Sequence, residues 1–257
     1  VLTKRGAGSD SETALAGFPH HSLNTYLPKL VKAGLRVAIC DQLEDPKMTK
    51  TIVKRGVTEL VTPGVAMNDE VLQAKSNNFL ASVYFSKRQL GVAFLDVSTG
   101  EFLTAQGNEE YIDKLLQNFS PSEILIQKNT KAQFKTAFGE DFNVFYLEDW
   151  VYKEDYAVET LQNHFQTNSL KGFGIEELLD GIIASGAILY YLSETQHNKV
   201  QHITNIQRIA EDAYVWMDRF TIRNLELYHS HSQNAVTLLD VIDKTLSPMG
   251  SRLLKRW

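Results

Sequence analysis

The stretch FLASVYFSKRQLGVAFLDVSTGEFLT, residues 79–104, decides the fold. Two apolar runs, Phe79 to Ser86 and Leu90 to Val97, flank the polar tip Lys87-Arg88-Gln89. Runs of that length, rich in β-branched and aromatic residues and broken by a polar tip, predict a β-hairpin. Ser98-Thr99-Gly100 reads as a second turn, and Glu101 to Thr104 as a third strand. Next comes a helix over Tyr111 to Phe119, whose Ile112, Leu115, Leu116 and Phe119 share one face. Pro121 ends it, and Glu123-Ile124-Leu125-Ile126 is the next strand. A meander followed by a helix and a parallel strand specifies a mixed α/β domain, here residues 76–170.

Working toward the beginning, Ser22 is placed to cap a helix whose Leu23, Tyr26, Leu27, Leu30 and Val31 follow the helical period. Pro28 inside it should cost about 3 kcal/mol or force a bend. Gly34 occupies the position of a left-handed C-terminal cap. Val37-Ala38-Ile39-Cys40 reads as a strand covered on both faces. A further strand around Val57 to Val61 closes at the turn Thr62-Pro63-Gly64. These elements form a first α/β unit, residues 1–64, and residues 65–75 form a polar linker.

Working toward the end, residues 171–257 read as mainly helical. Ile175, Leu178, Leu179, Ile182, Ile183, Leu189 and Tyr190 lie on a helix apolar around most of its circumference, which predicts burial. Gly181 and Gly186 within it predict close packing, since each costs about 1 kcal/mol against alanine. Short extended pieces are expected at Ile203 to Ile206 and Tyr214 to Met217. A helix follows over Arg219 to Leu227, and Leu238, Leu239 and Ile242 continue its pattern. Ser247-Pro248 supplies a cap and a first-turn proline for a last helix that runs to Trp257. A chain ending inside an amphipathic helix is expected to be a piece of something longer.

Composition bounds the function. The 257 residues are 43% apolar and 22% charged, as in ordinary globular proteins, and suffice for two or three domains. No apolar run approaches the length of a membrane span, and VLTKRGAGSD does not resemble a secretory signal. Cys40 is the sole cysteine, which excludes disulfide frameworks and multi-cysteine zinc sites and leads us to expect a cytoplasmic setting. The net charge of −5 is unevenly spread: residues 1–60 hold 9 Lys and Arg against 6 Asp and Glu, residues 76–170 hold 7 against 13. A polyanion would therefore meet the first unit and avoid the middle one.

Catalytic constellations are lacking. His20-His21 have no partner at metal-ligand spacing, and Cys40 in an apolar run reads as core. Asp96 ends a strand as the first carboxylate of a ribonuclease-H-like metal site would, yet Glu101 lies across a turn and Glu123 at a strand start, so Asp96 reads as a turn and register residue. The phosphate-cradling pattern G-x-x-x-x-G-K-[ST] is absent from these residues.

Short motifs supply what spacing does not. Leu2-Thr3-Lys4-Arg5-Gly6, Ala16-Gly17-Phe18-Pro19-His20-His21, Tyr26-Leu27-Pro28-Lys29-Leu30-Val31, Val37-Ala38-Ile39-Cys40-Asp41-Gln42, Asp45-Pro46 and Val61-Thr62-Pro63-Gly64 occur in this order. They resemble the mismatch-binding domain of the bacterial MutS family, departing at Pro28, where alanine is commoner, and at Phe18, where a branched aliphatic is usual. Leu95 to Phe102 is similar to that family's connector domain, and Ser247 to Trp257 to the start of its helical core, or lever, domain.

The resemblance implies an α/β multidomain chain: a mixed α/β mismatch-binding domain, a ribonuclease-H-like connector without nuclease activity, and the beginning of a helical lever. It implies a sensor of mispaired or looped-out bases in duplex DNA, acting as a homodimer with a MutL-type partner docked on the connector, cytoplasmic and associated with the nucleoid. ATP and Mg belong to a distant domain of the family, so no cofactor is expected here. The family's F-x-E motif, whose phenylalanine stacks on the mispair, would lie upstream of Val1. Thr3, Lys4 and Arg5, leading into the glycine-rich run Gly6 to Ser9, would contact the backbone or minor groove. Leu15 and Ala16 would rest against a kinked minor groove. Two other readings are weighed beside it: an Asp96-dependent nuclease, and a partner-docking module without DNA binding of its own.

Overall fold

The computed structural model describes residues 2–5, 13–45, 48, 52–66, 75–195, 200–209, 217, 219–228 and 235–256. Its centre is a six-stranded sheet built as the hairpin sequence predicts. Strands β5 (Phe79–Phe85), β6 (Leu90–Asp96) and β7 (Glu101–Gly107) form an antiparallel meander. Helix α2 (Glu109–Phe119) then crosses to β8 (Glu123–Gln127), which pairs parallel to β5, and α3 (Lys131–Phe138) leads to β9 (Val144–Leu147), parallel to β8. A short β10 (Gln207–Arg208) pairs parallel to β7, giving the order β10-β7-β6-β5-β8-β9.

Strand alternation sorts the sheet's side chains onto two faces. Phe79, Ala81, Val83, Val92, Phe94, Ile124 and Ile126 pack with Ile112, Leu115 and Leu116 of α2 and Phe134 and Phe138 of α3. Leu80, Ala93, Leu95, Phe102 and Leu125 face the other way, toward α4 (Glu154–Phe165) and α5 (Leu179–Glu194). The asparagine preceding α2 caps it, Asn108 Oδ1 accepting from Tyr111 N at 2.8 Å. The sequence reading does not name α3, β9 or α4: the first two are short, and α4 buries only Ala157 and Leu161, too sparse an apolar pattern to stand out.

The expected division at residue 170 is corrected by the packing. Helix α5, which the sequence reading assigns to the helical end segment, lies on β5, β6 and β7 and against α4, buried on nearly every side. Its glycines explain how it comes so near. A Cβ on Gly181 would lie 2.6 Å from Thr104 Oγ1, and one on Gly186 would lie 2.6 Å from Cα and Cβ of Ala157. On the sheet side, a Cβ on Gly91 would meet the Asp180 carbonyl oxygen at 2.0 Å. The sheet with all four of its helices is therefore one packed body that reaches at least to Ile209, buried against the α2 face.

The first unit carries α1 (Leu23–Lys32) on a two-stranded sheet of β3 (Val37–Gln42) and β4 (Arg55–Val61). Leu27 and Val31 of α1 close over Val61 and Ala66, with Leu23, Val37 and Ile39 at the margin. Pro28 is accommodated within α1 and buried, and Gly34 takes the left-handed conformation expected, at φ +80°. The expectation that β3 is covered on both faces is overturned: Ala38 and Cys40 are exposed, since β3 pairs with β4 and is covered by α1 on its other face. Cys40 is accordingly an exposed free thiol, not a core residue. Residues 65–75 were expected to link, but Val65 belongs to the α4/α5-side core and Ala66 to the α1 core.

Beyond the sheet, α6 (Arg219–Asn224) is shorter than the spacing predicts, and α7 (Leu238–Ile242) and α8 (Pro248–Arg256) follow. Ser247 caps α8, its Oγ accepting from Gly250 N at 3.1 Å. The extended pieces differ from expectation: residues 203–206 are irregular ahead of β10, and 214–216 lie outside the described residues. Asp243 pins the α7–α8 turn. It accepts from Thr245 N (3.0 Å), Thr245 Oγ1 (2.5 Å) and Ser251 Oγ (2.7 Å), and Lys75 Nζ lies 3.3 Å away. No helix among the described residues is long and apolar enough to cross a membrane.

Two outcomes are expected. Gly91→Ala and Gly186→Leu should each lower stability by about 1–3 kcal/mol or more in urea titrations, the range for overpacking a filled interior; an unchanged midpoint would contradict the close approach. The Thr245 and Ser251 hydroxyls hold the Asp243 carboxyl well below the usual aspartate range. Its tie is therefore complete above that range and is lost as the pH falls through the lowered value. The Thr245 amide shift in NMR should titrate with a midpoint below the ordinary aspartate value of about 3.9.

Candidate nucleic-acid interface

The residues singled out for DNA contact lie on an antiparallel ribbon of β1 (Leu2–Arg5) and β2 (Thr13–Ala16). The register sets Leu2 opposite Ala16, Thr3 opposite Leu15, Lys4 opposite Ala14 and Arg5 opposite Thr13. Opposed residues share a face and alternate along the strand. The ribbon brings all five residues together on two paired strands, which sequence order alone did not reveal. The glycine-rich run Gly6 to Ser9 lies outside the described residues.

Immediately after β2 the chain exposes an aromatic and basic surface. Phe18 stacks on Tyr26 with ring centroids 4.6 Å apart, and Lys29 Nζ sits 5.4 Å from the Tyr26 ring. His20 and His21 form an exposed 3₁₀ turn at the head of α1, a helix that contains no acidic residue. A second surface was missed by the sequence reading. In the connection from β3 to β4, Ile52 is 95% exposed, and Lys54 and Arg55 beside it are exposed as well. Lys54 makes a loose 3.7 Å ion pair with Glu44. The signal available in the sequence was an apolar residue set among three cations, Lys50, Lys54 and Arg55.

The carboxylates weighed for metal chemistry are occupied by the fold. Asp96 is 1% exposed. Its Oδ1 accepts from Ser98 N (2.9 Å), Ser98 Oγ (2.6 Å) and Thr99 N (3.3 Å), and Oδ2 accepts from Asn78 N (3.3 Å). That is the geometry of a turn residue that also fixes where β5 begins. Glu101 accepts from Asn77 Nδ2 at 3.1 Å. Glu123 is likewise buried and hydrogen-bonded. Among the described residues no group of three or more His, Cys, Asp or Glu is arranged to hold a metal ion. The arrangement offers exposed cations, rings and apolar tips suited to binding.

Known proteins place these features in a family. The chain matches MutS domain I over residues 1–70, MutS domain II over residues 78–204 and MutS domain III over residues 220–257. Proteins named DNA mismatch repair protein MutS from Flavobacterium johnsoniae and Flavobacterium psychrophilum are each 84% identical over 257 residues. The one from Cytophaga hutchinsonii is 63% identical over the same length. Each match covers 100% of this chain and 30% of the relative, so the chain spans under a third of the length of these curated relatives.

Asp96→Ala should destabilise the chain by about 1–3 kcal/mol, because it removes the charged acceptor that ties the Ser98–Thr99 turn to the start of β5. Added Mg²⁺ should leave the melting temperature of the unsubstituted chain unchanged. A magnesium-dependent rise that disappears in Asp96→Asn would restore the nuclease reading.

Proposed function

The chain belongs to the MutS family, and on that premise we propose that it is the part of a DNA mismatch repair sensor that grips duplex DNA at a mispaired or looped-out base. The observation that carries this reading is the β1–β2 ribbon, which pairs the strand bearing Thr3, Lys4 and Arg5 with the strand that ends in Leu15 and Ala16. Cations that neutralise phosphate give affinity without sequence preference. Apolar residues resting in the minor groove favour a duplex that kinks easily, and a mispair, already poorly stacked, kinks at lower cost. The exposed cations and Ile52 of the β3–β4 connection offer a second contact of the same kind.

Residues 76–209 act in this proposal as a connector of ribonuclease-H-like architecture. The order β7-β6-β5-β8-β9, an antiparallel meander continued by parallel strands, supports that assignment. Internal hydrogen bonding of Asp96 and Glu123 supports a connector that does no cleavage. The whole family member would bind ATP with Mg in another domain, work as a homodimer in the cytoplasm near the nucleoid, and pass its signal to a MutL-type partner. Residues 219–256 would begin the helical lever.

A second reading, partner docking without DNA binding, draws on the connector's own charge of 7 Lys and Arg against 13 Asp and Glu in residues 76–170. Charge reversals on α4 that abolish partner capture and spare DNA binding would assign docking to the connector and DNA contact to the first unit.

Fluorescence anisotropy with a duplex carrying one G·T mispair and its matched twin tests the reading. Arg5→Ala and Lys4→Ala should each weaken binding of both duplexes and reduce the salt slope by about 1. Leu15→Ala should erode the preference for the mispair more than the affinity for the matched duplex. Binding unchanged in all three variants would remove the ribbon from the interface.

A further inference from the structure

Every residue from Val61 to Ala66 is buried, so the chain leaves β4 through the interior of the molecule. It passes Glu123, the first residue of β8, which is 1% exposed. Glu123 Oε2 accepts from Thr62 Oγ1 at 2.5 Å and from Gly64 N at 3.1 Å, and Oε1 accepts from Tyr191 Oη of α5 at 2.7 Å. Gly64 is the residue that allows this approach: a Cβ there would lie 2.7 Å from Leu80 Cδ1 and 2.9 Å from Glu123 Cβ. Asn78 Nδ2 donates to the Pro63 carbonyl at 2.8 Å, and its amide is oriented by Ser122 Oγ, which donates to Asn78 Oδ1 at 2.5 Å. A cation adds a second tie, the Arg36 guanidinium lying 3.7 Å from the Phe145 ring centroid on β9.

We propose that Glu123 is a positioning residue whose carboxylate fixes the orientation of the first unit on the connector sheet, so that a movement of the DNA-gripping unit is delivered to β8 and α5. The reason is directional. Apolar contacts between the units resist separation but tolerate sliding, because hydrophobic burial has no preferred angle. Three hydrogen bonds converging on one carboxylate from the exit segment and α5 are satisfied together in one arrangement. Sliding would strand buried donors, each costly to leave unpaired. A buried polar group that selects one arrangement over near alternatives is a known use of such groups. Burial, reinforced by the Glu123 charge, pushes the Tyr191 hydroxyl up, which keeps it a donor at any working pH. Delivery of movement from DNA rests on the functional reading above; the fixed orientation does not.

Single-molecule fluorescence energy transfer separates the two. Cys40, exposed on β3, accepts one dye, and Thr136→Cys on α3 accepts the other. The background chain should give one narrow distribution. Glu123→Ala, Gly64→Ala and Glu123→Gln, whose amide turns donors toward donors, should broaden and shift it, and Tyr191→Phe should do so less. Circular dichroism should show the sheet retained. A distribution in Tyr191→Phe and Glu123→Ala as narrow and as centred as the parent, with a lowered urea midpoint alone, would overturn the proposal and leave Glu123 a stabilising residue. If Glu123→Ala does not fold, Tyr191→Phe, which deletes one hydroxyl, decides. Adding the G·T duplex should shift the parent and fail to shift Glu123→Gln. A parent that does not bind the duplex would count against the DNA reading and leave the orientation result standing.

Discussion

The approach of α5 to the sheet is the constraint on which the remaining structure rests. Gly91 and Gly181 remove the side chains that would hold helix and strands apart, and Gly186 does the same toward α4. At close range the helix can be tied by polar contacts as well as by packing: Gln106 of β7 reaches the Asp180 amide at 3.1 Å and the Glu177 carbonyl at 3.0 Å. The same helix, about three turns further on, delivers Tyr191 to Glu123, and the Thr195 carbonyl that follows it lies within 3.4 Å of Leu60 N. A helix standing farther from the sheet could reach neither the exit segment nor β4. The glycines thus set the geometry of the contact between the two α/β units, although none of them touches it.

The chemistry the molecule lacks is as informative as what it has. Carboxylates at strand ends of such a sheet could serve a metal, but Asp96 and Glu123 spend their oxygen atoms on neighbouring amides and hydroxyls. Buried charged groups are retained when fully paired and are costly otherwise. Here the pairing serves turns and the junction, and the surfaces left for a ligand carry lysine, arginine, aromatic rings and apolar tips.

How much of this was legible in the sequence differs by element. The meander and α2 were legible because each obeys one period and ends at a polar turn or a proline. Gly34 and Ser247 were legible because their local conformations have few other occupants. The cover of β3 was misread, since a short apolar run does not say whether a helix lies on one face or both. Placement of α5 was misread for a related reason: all-round hydrophobicity announces burial but not the neighbour. The ribbon residues were found by their motif, and their pairing across β1 and β2 needed the register. Glu123 was weighed only as a metal ligand, and its place at the junction was not legible because its partners, Thr62, Gly64 and Tyr191, are 59 to 68 residues away in the chain.

The separation of the sheet's two faces has an evolutionary side. Side chains directed at α2 and α3 share a backbone with those directed at α4 and α5, yet belong to a different packed cluster. Residues of one cluster can exchange in compensating pairs without disturbing the other. Drift should therefore be freer beneath α2 and α3, where the demand is for volume alone, than beneath α5, where each exchange must also keep a tyrosine aimed at a buried carboxylate. One sheet would then record two rates of change, written on alternate residues of the same strands.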